Sequence, residues 1–191
     1  MKFRSLALLM LAEVAAMSVW FVSAAVLPDM LREVSLTPAL QAALTSGVQA
    51  GFVIGALGSA MLGLADRFDP RRVFAVAAIG AGLVNAVLLV VPPGSAVAIA
   101  ARIVTGALLA GVYPVGMKIA VGWGVKDRGF LVAALVGAVT LGSAAPHLIA
   151  FIFGHDWRAS IAAASLIAGL GGLIALASSL GPYHEIGRAH V

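Results

Sequence analysis

Six apolar runs of about 20 residues divide this chain and leave little choice of fold. Short charged or proline-containing pieces separate the runs, which cover residues 6–27, 43–65, 73–91, 97–117, 130–153 and 159–180. At about 1.5 Å per helical residue, each run can cross a hydrocarbon core of about 30 Å. The short period-two segments of a membrane β-barrel are absent. The sequence therefore predicts an all-α integral membrane protein with six transmembrane helices.

The composition supports this fold class and excludes several functions. Of the 191 residues, 62% are hydrophobic and 10% are charged, whereas a soluble domain carries about 25% charged residues. So few polar side chains exclude a soluble enzyme, a nucleic-acid-binding domain and a disordered chain. The net charge of +4 does not indicate nucleic acid, because the basic residues form short clusters between apolar runs. Without cysteine, disulfides and cysteine–zinc sites are excluded, and no cofactor or metal is expected.

The distribution of lysine and arginine predicts the orientation in the membrane. Short loops on the cytoplasmic side of a membrane are enriched in these residues. The N-terminus and the second and fourth loops hold eight of them, whereas the opposite side holds only Arg32 and Arg158. We therefore expect a multi-pass protein of the cell (inner) membrane with both termini in the cytoplasm.

A ladder of small residues runs along the second span. Gly47, Gly51, Gly55, Ser59 and Gly63 follow one another at four-residue spacing. In lipid, small residues at this spacing let two helix backbones approach closely and pack. The ladder predicts a helix–helix seam, either fixed or one along which two parts of a transporter slide.

The loop after the second span carries the most specific motif. Gly63 precedes an acid and an arginine, Asp66-Arg67, and a turn at Asp69-Pro70 leads into the pair Arg71-Arg72. This loop resembles the signature loop of the major facilitator superfamily, roughly G-x-x-x-D-R-x-G-R-R. It departs in two places, because the leading glycine comes one residue late and Asp69-Pro70 replaces the single turn glycine.

Three shorter pieces strengthen the resemblance. Ala101-Arg102-Ile103-Val104-Thr105-Gly106 is similar to the family's R-x-x-Q-G pattern in the fourth span, Asp127-Arg128-Gly129 to its R-G entry into the fifth, and Asp156-Trp157-Arg158 to its external W-R turn. The resemblance implies a transporter of twelve spans in two halves, each made of two inverted three-helix repeats. This chain resembles the N-terminal half. In the family, the acid equivalent to Asp66 helps to latch the two halves at the cytoplasmic side.

The end of the chain suggests a truncated gene. Residues 185–191 resemble a translated sequencing adapter. We therefore expect a transporter domain over residues 1–184 and a non-native tail over residues 185–191. The genomic reading frame is expected to continue into the C-terminal half, which would be the partner of this one.

Two ionisable residues lie inside apolar runs. Glu13 is about seven residues into the first run and Arg102 about five residues into the fourth. Such a group costs at least about 2.5 kcal/mol in the membrane unless it is paired or hydrated. Their predicted depths differ by about 10 Å, too far for a direct ion pair. Because the resemblance implies that both spans line a central cavity, we expect both on the substrate or proton pathway. The alternatives are a snorkelling Arg102 and a Glu13 satisfied by a neighbouring helix.

Two further candidates for the pathway are Tyr113 and His147. Tyr113 precedes Pro114 inside the fourth run, where a proline either kinks the helix or frees carbonyls that line a substrate path. His147 could relay protons near neutral pH, or it could anchor the fifth span at the interface. Asn85 in the third run is expected to bond to a neighbouring helix.

The predicted function is a secondary active transporter that moves a small solute by alternating access, with possible proton coupling. No phosphate-binding glycine loop is present, so ATP is not the expected fuel. The fifth span lacks the G-x-x-x-G-P pattern of drug–proton antiporters, which favours a symporter or uniporter. The alternatives are a non-transporting assembly or sensor subunit and an intramembrane hydrolase. The hydrolase would use Ser143 and His147 but lacks an evident third catalytic group.

Overall fold

A computed structural model describes residues 1–184, which contain helices and turns but no strand. The α-helices are α1 (Lys2–Met17), α2 (Val22–Glu33), α3 (Pro38–Leu62), α4 (Leu64–Arg67), α5 (Pro70–Ala86), α6 (Ala96–Leu109), α7 (Tyr113–Val121), α8 (Arg128–Phe153) and α9 (Trp157–Leu176), with a 3₁₀ turn over Val87–Leu89. The predicted tail, residues 185–191, lies outside the described residues.

Six helical segments are long and apolar enough to cross a membrane, which confirms the predicted fold class. They cover Lys2–Glu33, Pro38–Leu62, Pro70–Leu89, Ala96–Val121, Arg128–Phe153 and Trp157–Leu176. The second segment begins five residues before the predicted residue 43. Thr37 caps its first turn by accepting a hydrogen bond from the Leu40 N–H at 3.3 Å, and Pro38 follows. Such a polar first turn is typical of a helix N-terminus. The prediction missed it because it was based on apolar runs alone.

The surface of the bundle is apolar and part of its interior is polar. Glu13, Asn85 and Arg102 have no exposed surface. Large hydrophobic side chains face outward on α3, α5, α8 and α9, among them Val53, Leu57, Val76, Leu83, Leu141, Leu148, Phe151, Leu166 and Leu173. Exposed apolar area of this extent needs an apolar environment. The structure thus fits a lipid bilayer.

Polar contacts define the two ends of the bundle. At one end, here called the basic end, the ammonium of Lys2 contacts Asp127 and the loop of residues 66–72 contacts α7. At the opposite end, Asp29 of α2 lies 2.8 Å from the Nδ1 atom of His155. The ends therefore group the loops as the sequence analysis did.

The first and fourth spans are each interrupted near their middle. Residues 18–21 separate α1 from α2, and residues 110–112 separate α6 from α7. In the fourth span, Pro114 lacks the N–H that would bond to the carbonyl of Ala110. The interruption in the first span contains neither proline nor glycine. It therefore depends on groups supplied by other helices.

The helices of the first three spans and those of the last three make equivalent packing contacts. The second span packs along the fourth (α3 on α6), and the fifth packs along the first (α8 on α1). The first and sixth spans pack together, as do the third and fourth, while the third also packs on the sixth. Exchanging spans one to three with spans four to six leaves this pattern unchanged. The packing is consistent with the predicted inverted repeats.

The glycine ladder of α3 lies where α3 and α6 approach most closely. A Cβ atom added at Gly51 would lie 1.8 Å from the carbonyl oxygen of Ile103, and one at Gly55 would lie 2.3 Å from that of Ala107. Gly106 on α6 is equally restricted, because its Cβ would lie 1.9 Å from the Val48 oxygen. Glycines on both helices thus let the two backbones touch.

Gly47 lies at the start of this contact, but Gly63 does not belong to it. A Cβ added at Gly47 would meet the Cβ of Arg102 at 3.3 Å. Gly63 instead ends α3 in the left-handed conformation, with φ of 59°, which glycine adopts without strain. The first three glycines of the ladder therefore pack a helix, whereas the last one turns the chain.

We predict that Gly51→Ala destabilises the protein by roughly 1–3 kcal/mol, because the added methyl group forces the two backbones apart. Thermal unfolding of the detergent-purified protein measures the effect. Gly58→Ala is the matched control, since a Cβ at Gly58 meets nothing within 4 Å. Equal midpoints for the two variants would contradict the close contact.

Candidate functional site

Arg102 on α6 joins four spans through hydrogen bonds. Its Nη1 atom donates to the Val19 oxygen at 3.0 Å and to the Asn85 Oδ1 at 2.7 Å, and its Nη2 donates to the Trp20 oxygen at 2.7 Å. The Nδ2 atom of Asn85 donates to the Ser165 Oγ at 2.9 Å. These five residues, here called the Arg102 network, connect the first, third, fourth and sixth spans.

The Arg102 network explains how the first span can be interrupted inside the membrane. Because residues 18–21 leave the α-helix, the carbonyls of Val19 and Trp20 need donors from elsewhere. An unsatisfied backbone group in the hydrocarbon region costs several kcal/mol. The guanidinium supplies donors in a planar fork, and charge-assisted hydrogen bonds are stronger than neutral ones. The carbonyls of the interrupted helix therefore accept the hydrogen bonds of the buried guanidinium, and the guanidinium supplies the donors that these carbonyls need.

The sequence analysis expected Arg102 to lie on the substrate or proton pathway, on a span that lines a central cavity. In this structure the guanidinium has no exposed surface, and its donors go to backbone carbonyls and an amide. Only its Nε atom lacks a hydrogen bond. A contact between Arg102 and substrate or protons stays a prediction.

Glu13 on α1 is the second buried charged residue, and its carboxyl group has no polar partner among residues 1–184. Neither of its carboxyl oxygens accepts or donates a hydrogen bond, so it is not paired with Arg102. Its Oε2 atom lies against Gly116 on α7, where an added Cβ would be 2.5 Å away. The same Cβ would lie 3.5 Å from the ring of Phe74. Gly116 thus provides the space that the carboxyl group occupies.

The two buried residues lie in reciprocal positions. Arg102 in the first part of the fourth span reaches the interruption of the first span. Glu13 in the first part of the first span lies against the second part of the fourth span. This exchange follows the internal symmetry of the packing. Each interrupted span therefore presents its ionisable side chain to the other.

Tyr113 begins α7 directly after the interruption of the fourth span and is half-buried. A cavity of about 170 Å³ lies beside this interruption and reaches the basic end. Its lining includes Ser59, Asp66, Ala110 and Pro114. The predicted role of the Tyr113-Pro114 break in a substrate path stays a prediction, and this cavity is the space next to it.

His147 is not part of the buried cluster. It is exposed on α8, and no hydrogen bond or ion pair joins its side chain to the residues described, 1–184. Ser143, one turn earlier, is half-buried. The structure gives this pair no activating group, and a proton-relay role for His147 stays a prediction.

In the signature loop, Asp66 accepts a hydrogen bond from the ammonium of Lys118 on α7. This contact ties the loop between the second and third spans to the end of the fourth span. The sequence analysis did not identify Lys118 as the partner of Asp66. The two residues are 52 positions apart, so only their shared location at the basic end could have suggested the pair.

The departure of the loop from the family pattern has a structural role. Asp69 caps α5 by accepting a hydrogen bond from the Arg71 N–H at 2.9 Å, and Pro70 occupies the first turn. The Arg71 side chain also donates to Asp69, at 2.7 Å, and to the Ser178 oxygen at 3.2 Å. The hydrogen bond from Arg71 holds the pKa of Asp69 below its ordinary value. Asp69-Pro70 therefore makes the turn with a capped helix start in place of a glycine.

The two remaining arginines of the loop, Arg67 and Arg72, are exposed. Their guanidinium groups make no hydrogen bond or ion pair within the described part of the chain. No cluster of three or more histidine, aspartate or glutamate side chains that could hold a metal occurs in that part either.

Comparison with known proteins identifies the family. The family profile described as Major Facilitator Superfamily matches residues 9–189, nearly the whole chain. No curated protein matches the chain. The family indicated by the signature loop and the three shorter pieces is thereby confirmed.

We predict that Arg102→Lys destabilises the protein by about 2 kcal/mol or more, because one ammonium cannot replace a fork that bonds in three directions. Thermal unfolding measures the loss, and hydrogen exchange at residues 22–25 should rise as the interruption loses its donors. Arg158→Lys is the matched control, since Arg158 bonds to Glu33 on the surface. If both variants unfolded at the wild-type temperature, the Arg102 network would not stabilise the interruption.

Proposed function

Because the chain belongs to the Major Facilitator Superfamily, we propose that it is part of a secondary active transporter that moves a small solute by alternating access and is coupled to protons through Glu13. The observation that carries the coupling is the buried carboxyl group of Glu13, which has no hydrogen-bond partner in the described part of the chain. Glu13 also belongs to one interrupted span and lies against the other.

The surroundings of Glu13 support a proton-dependent role. An isolated carboxylate in an apolar environment costs far more free energy than a neutral carboxylic acid. In the conformation described here, Glu13 is therefore expected to carry a proton. A conformation that separates α1 from α7 would expose Glu13 to water and let the proton leave. Protonation and the conformation of the two interrupted spans are coupled in this way.

A second six-helix unit is part of the proposal. Family members pack two such halves together, with the substrate site between them near the middle of the bilayer. Among the six spans, the second and the fifth are the least buried in this structure. We propose that these two spans contact the second unit and that the half described here rocks against it.

The orientation also remains a proposal. The basic end holds most of the lysine and arginine residues of the loops, and such loops stay on the cytoplasmic side. We propose that the basic end, with both termini, faces the cytoplasm across a cell (inner) membrane.

Glu13→Gln tests the proposed coupling. The protein expressed from the genomic reading frame is reconstituted into liposomes that contain a pH-sensitive dye. A panel of sugars, amino acids, carboxylates and organic cations is then added outside. We expect at least a tenfold loss of solute-driven proton movement in the variant, while exchange of labelled solute continues. The neutral glutamine fits the same space but cannot release a proton.

The control is Glu33→Gln, which removes a carboxylate from the surface of the opposite end. It should move protons as the wild type does. Proton movement in Glu13→Gln equal to that of Glu33→Gln would contradict coupling at Glu13. If no solute of the panel were transported by the wild type, the transporter proposal itself would fail.

Asp66→Asn tests the signature loop. We expect a severalfold loss of solute flux at unchanged membrane abundance, because an exposed ion pair contributes little to stability while its charge helps to position α7 against the loop. Flux in liposomes and protein abundance measure the two effects. Asp127→Asn, which breaks the contact with Lys2 at the same end, is the control. Equal flux in both variants would contradict a role for Asp66 in the conformational change.

A further inference from the structure

A groove near the basic end, away from the buried Glu13 and Arg102, has no role in the proposed transport mechanism. It has a volume of about 430 Å³ and lies between α3 and α5, with α6 as its floor. This volume falls within the range of small-ligand sites, about 300–1,000 Å³. Gly55 and Gly111 line it. Because glycine has no side chain, these two positions leave space that the groove occupies.

The walls of the groove are apolar and open to the surroundings of the bundle. Val73, Val76, Ala107 and Leu108 supply most of the lining. Val76 is 71% exposed, and it lies on the same face of α5 as the exposed Leu83 two turns later. The groove thus opens toward the region that lipid chains occupy, not toward the buried Glu13 and Arg102.

The mouth of the groove carries more positive than negative charge. Phe68, Asp69 and Arg72 lie at this mouth. Asp69 is already paired with Arg71 through two side-chain hydrogen bonds. The guanidinium of Arg72 makes no hydrogen bond or ion pair to any residue from 1 to 184. The single carboxylate of Asp69 thus faces two arginines, Arg71 and Arg72, and its pKa is lowered by both. The apolar channel therefore ends at an excess of positive charge.

We propose that this groove binds an anionic phospholipid, with one acyl chain between α3 and α5 and the headgroup phosphate on Arg72. The positive charge at the mouth favours an anionic group, and the apolar walls favour an acyl chain. An anionic phospholipid carries both groups in one molecule. Basic pockets between transmembrane helices bind anionic headgroups for the same reason. A bound lipid would hold the start of α5 against α3 and thereby bear on the signature loop.

The test measures lipid binding to the full chain purified in neutral detergent. Native mass spectrometry follows titration with dioleoylphosphatidylglycerol, with dioleoylphosphatidylcholine as the uncharged counterpart. The wild type should bind the anionic lipid severalfold more tightly. Arg72→Gln should weaken that binding about fivefold, the effect of one basic residue near anionic lipid. Val76→Trp, which fills the groove, should prevent binding of both lipids at this site.

Two matched controls accompany these variants. Arg4→Gln removes an exposed arginine at the other side of the basic end, and Leu57→Trp adds the same bulk to an exposed position of α3 outside the groove. Both should bind lipid as the wild type does. The proposal is overturned if Arg72→Gln behaves like Arg4→Gln, if Val76→Trp behaves like Leu57→Trp, or if inorganic phosphate alone displaces the lipid. A change in oligomeric mass caused by Val76→Trp would assign the groove to a second copy of the chain and overturn the proposal as well.

Discussion

The hydrogen bonds between Arg102 and the interrupted first span are the contact on which the rest of this bundle depends. Inside a bilayer, a helix can stop only where another part of the protein bonds to its free carbonyls. The guanidinium bonds to the carbonyls of Val19 and Trp20, and Asn85 bonds to the guanidinium in turn. Without this cation, the first span would have to be a continuous helix. The interruption of the first span therefore depends on the fourth span as well as on the first.

Small residues pack closely around this polar centre. Glycines at Gly51, Gly55 and Gly106 bring the backbones of α3 and α6 into contact, and Gly47 on the same face of α3 lies against the Cβ of Arg102. Gly116 leaves room for the Glu13 carboxyl group. In lipid, close packing of small residues replaces the hydrophobic driving force that water would provide. Small residues thus lie next to both buried charged side chains.

The sequence predicted the six spans, the family and the two buried charged residues, because each leaves a local signal. A run of apolar residues marks a span, and a glutamate or arginine within it stands out. The interruption at residues 18–21 gave no signal, since it contains no proline or glycine. The partners of Arg102 could not be predicted either, because two of them are backbone carbonyls, which every residue possesses. The contact of Asp66 with Lys118 depends on tertiary structure alone.

The order of the Arg102 network along the chain bears on how the protein enters the membrane. Val19, Trp20 and Asn85, the acceptors for the guanidinium, all precede Arg102 in the sequence. During synthesis, the first and third spans leave the ribosome before the fourth. The acceptors are thus already in the bilayer when the arginine arrives, and the cost of inserting a lone cation, about 2.5–3.5 kcal/mol, is offset at once. A rearranged chain that began with the fourth span would have to insert the same arginine without them.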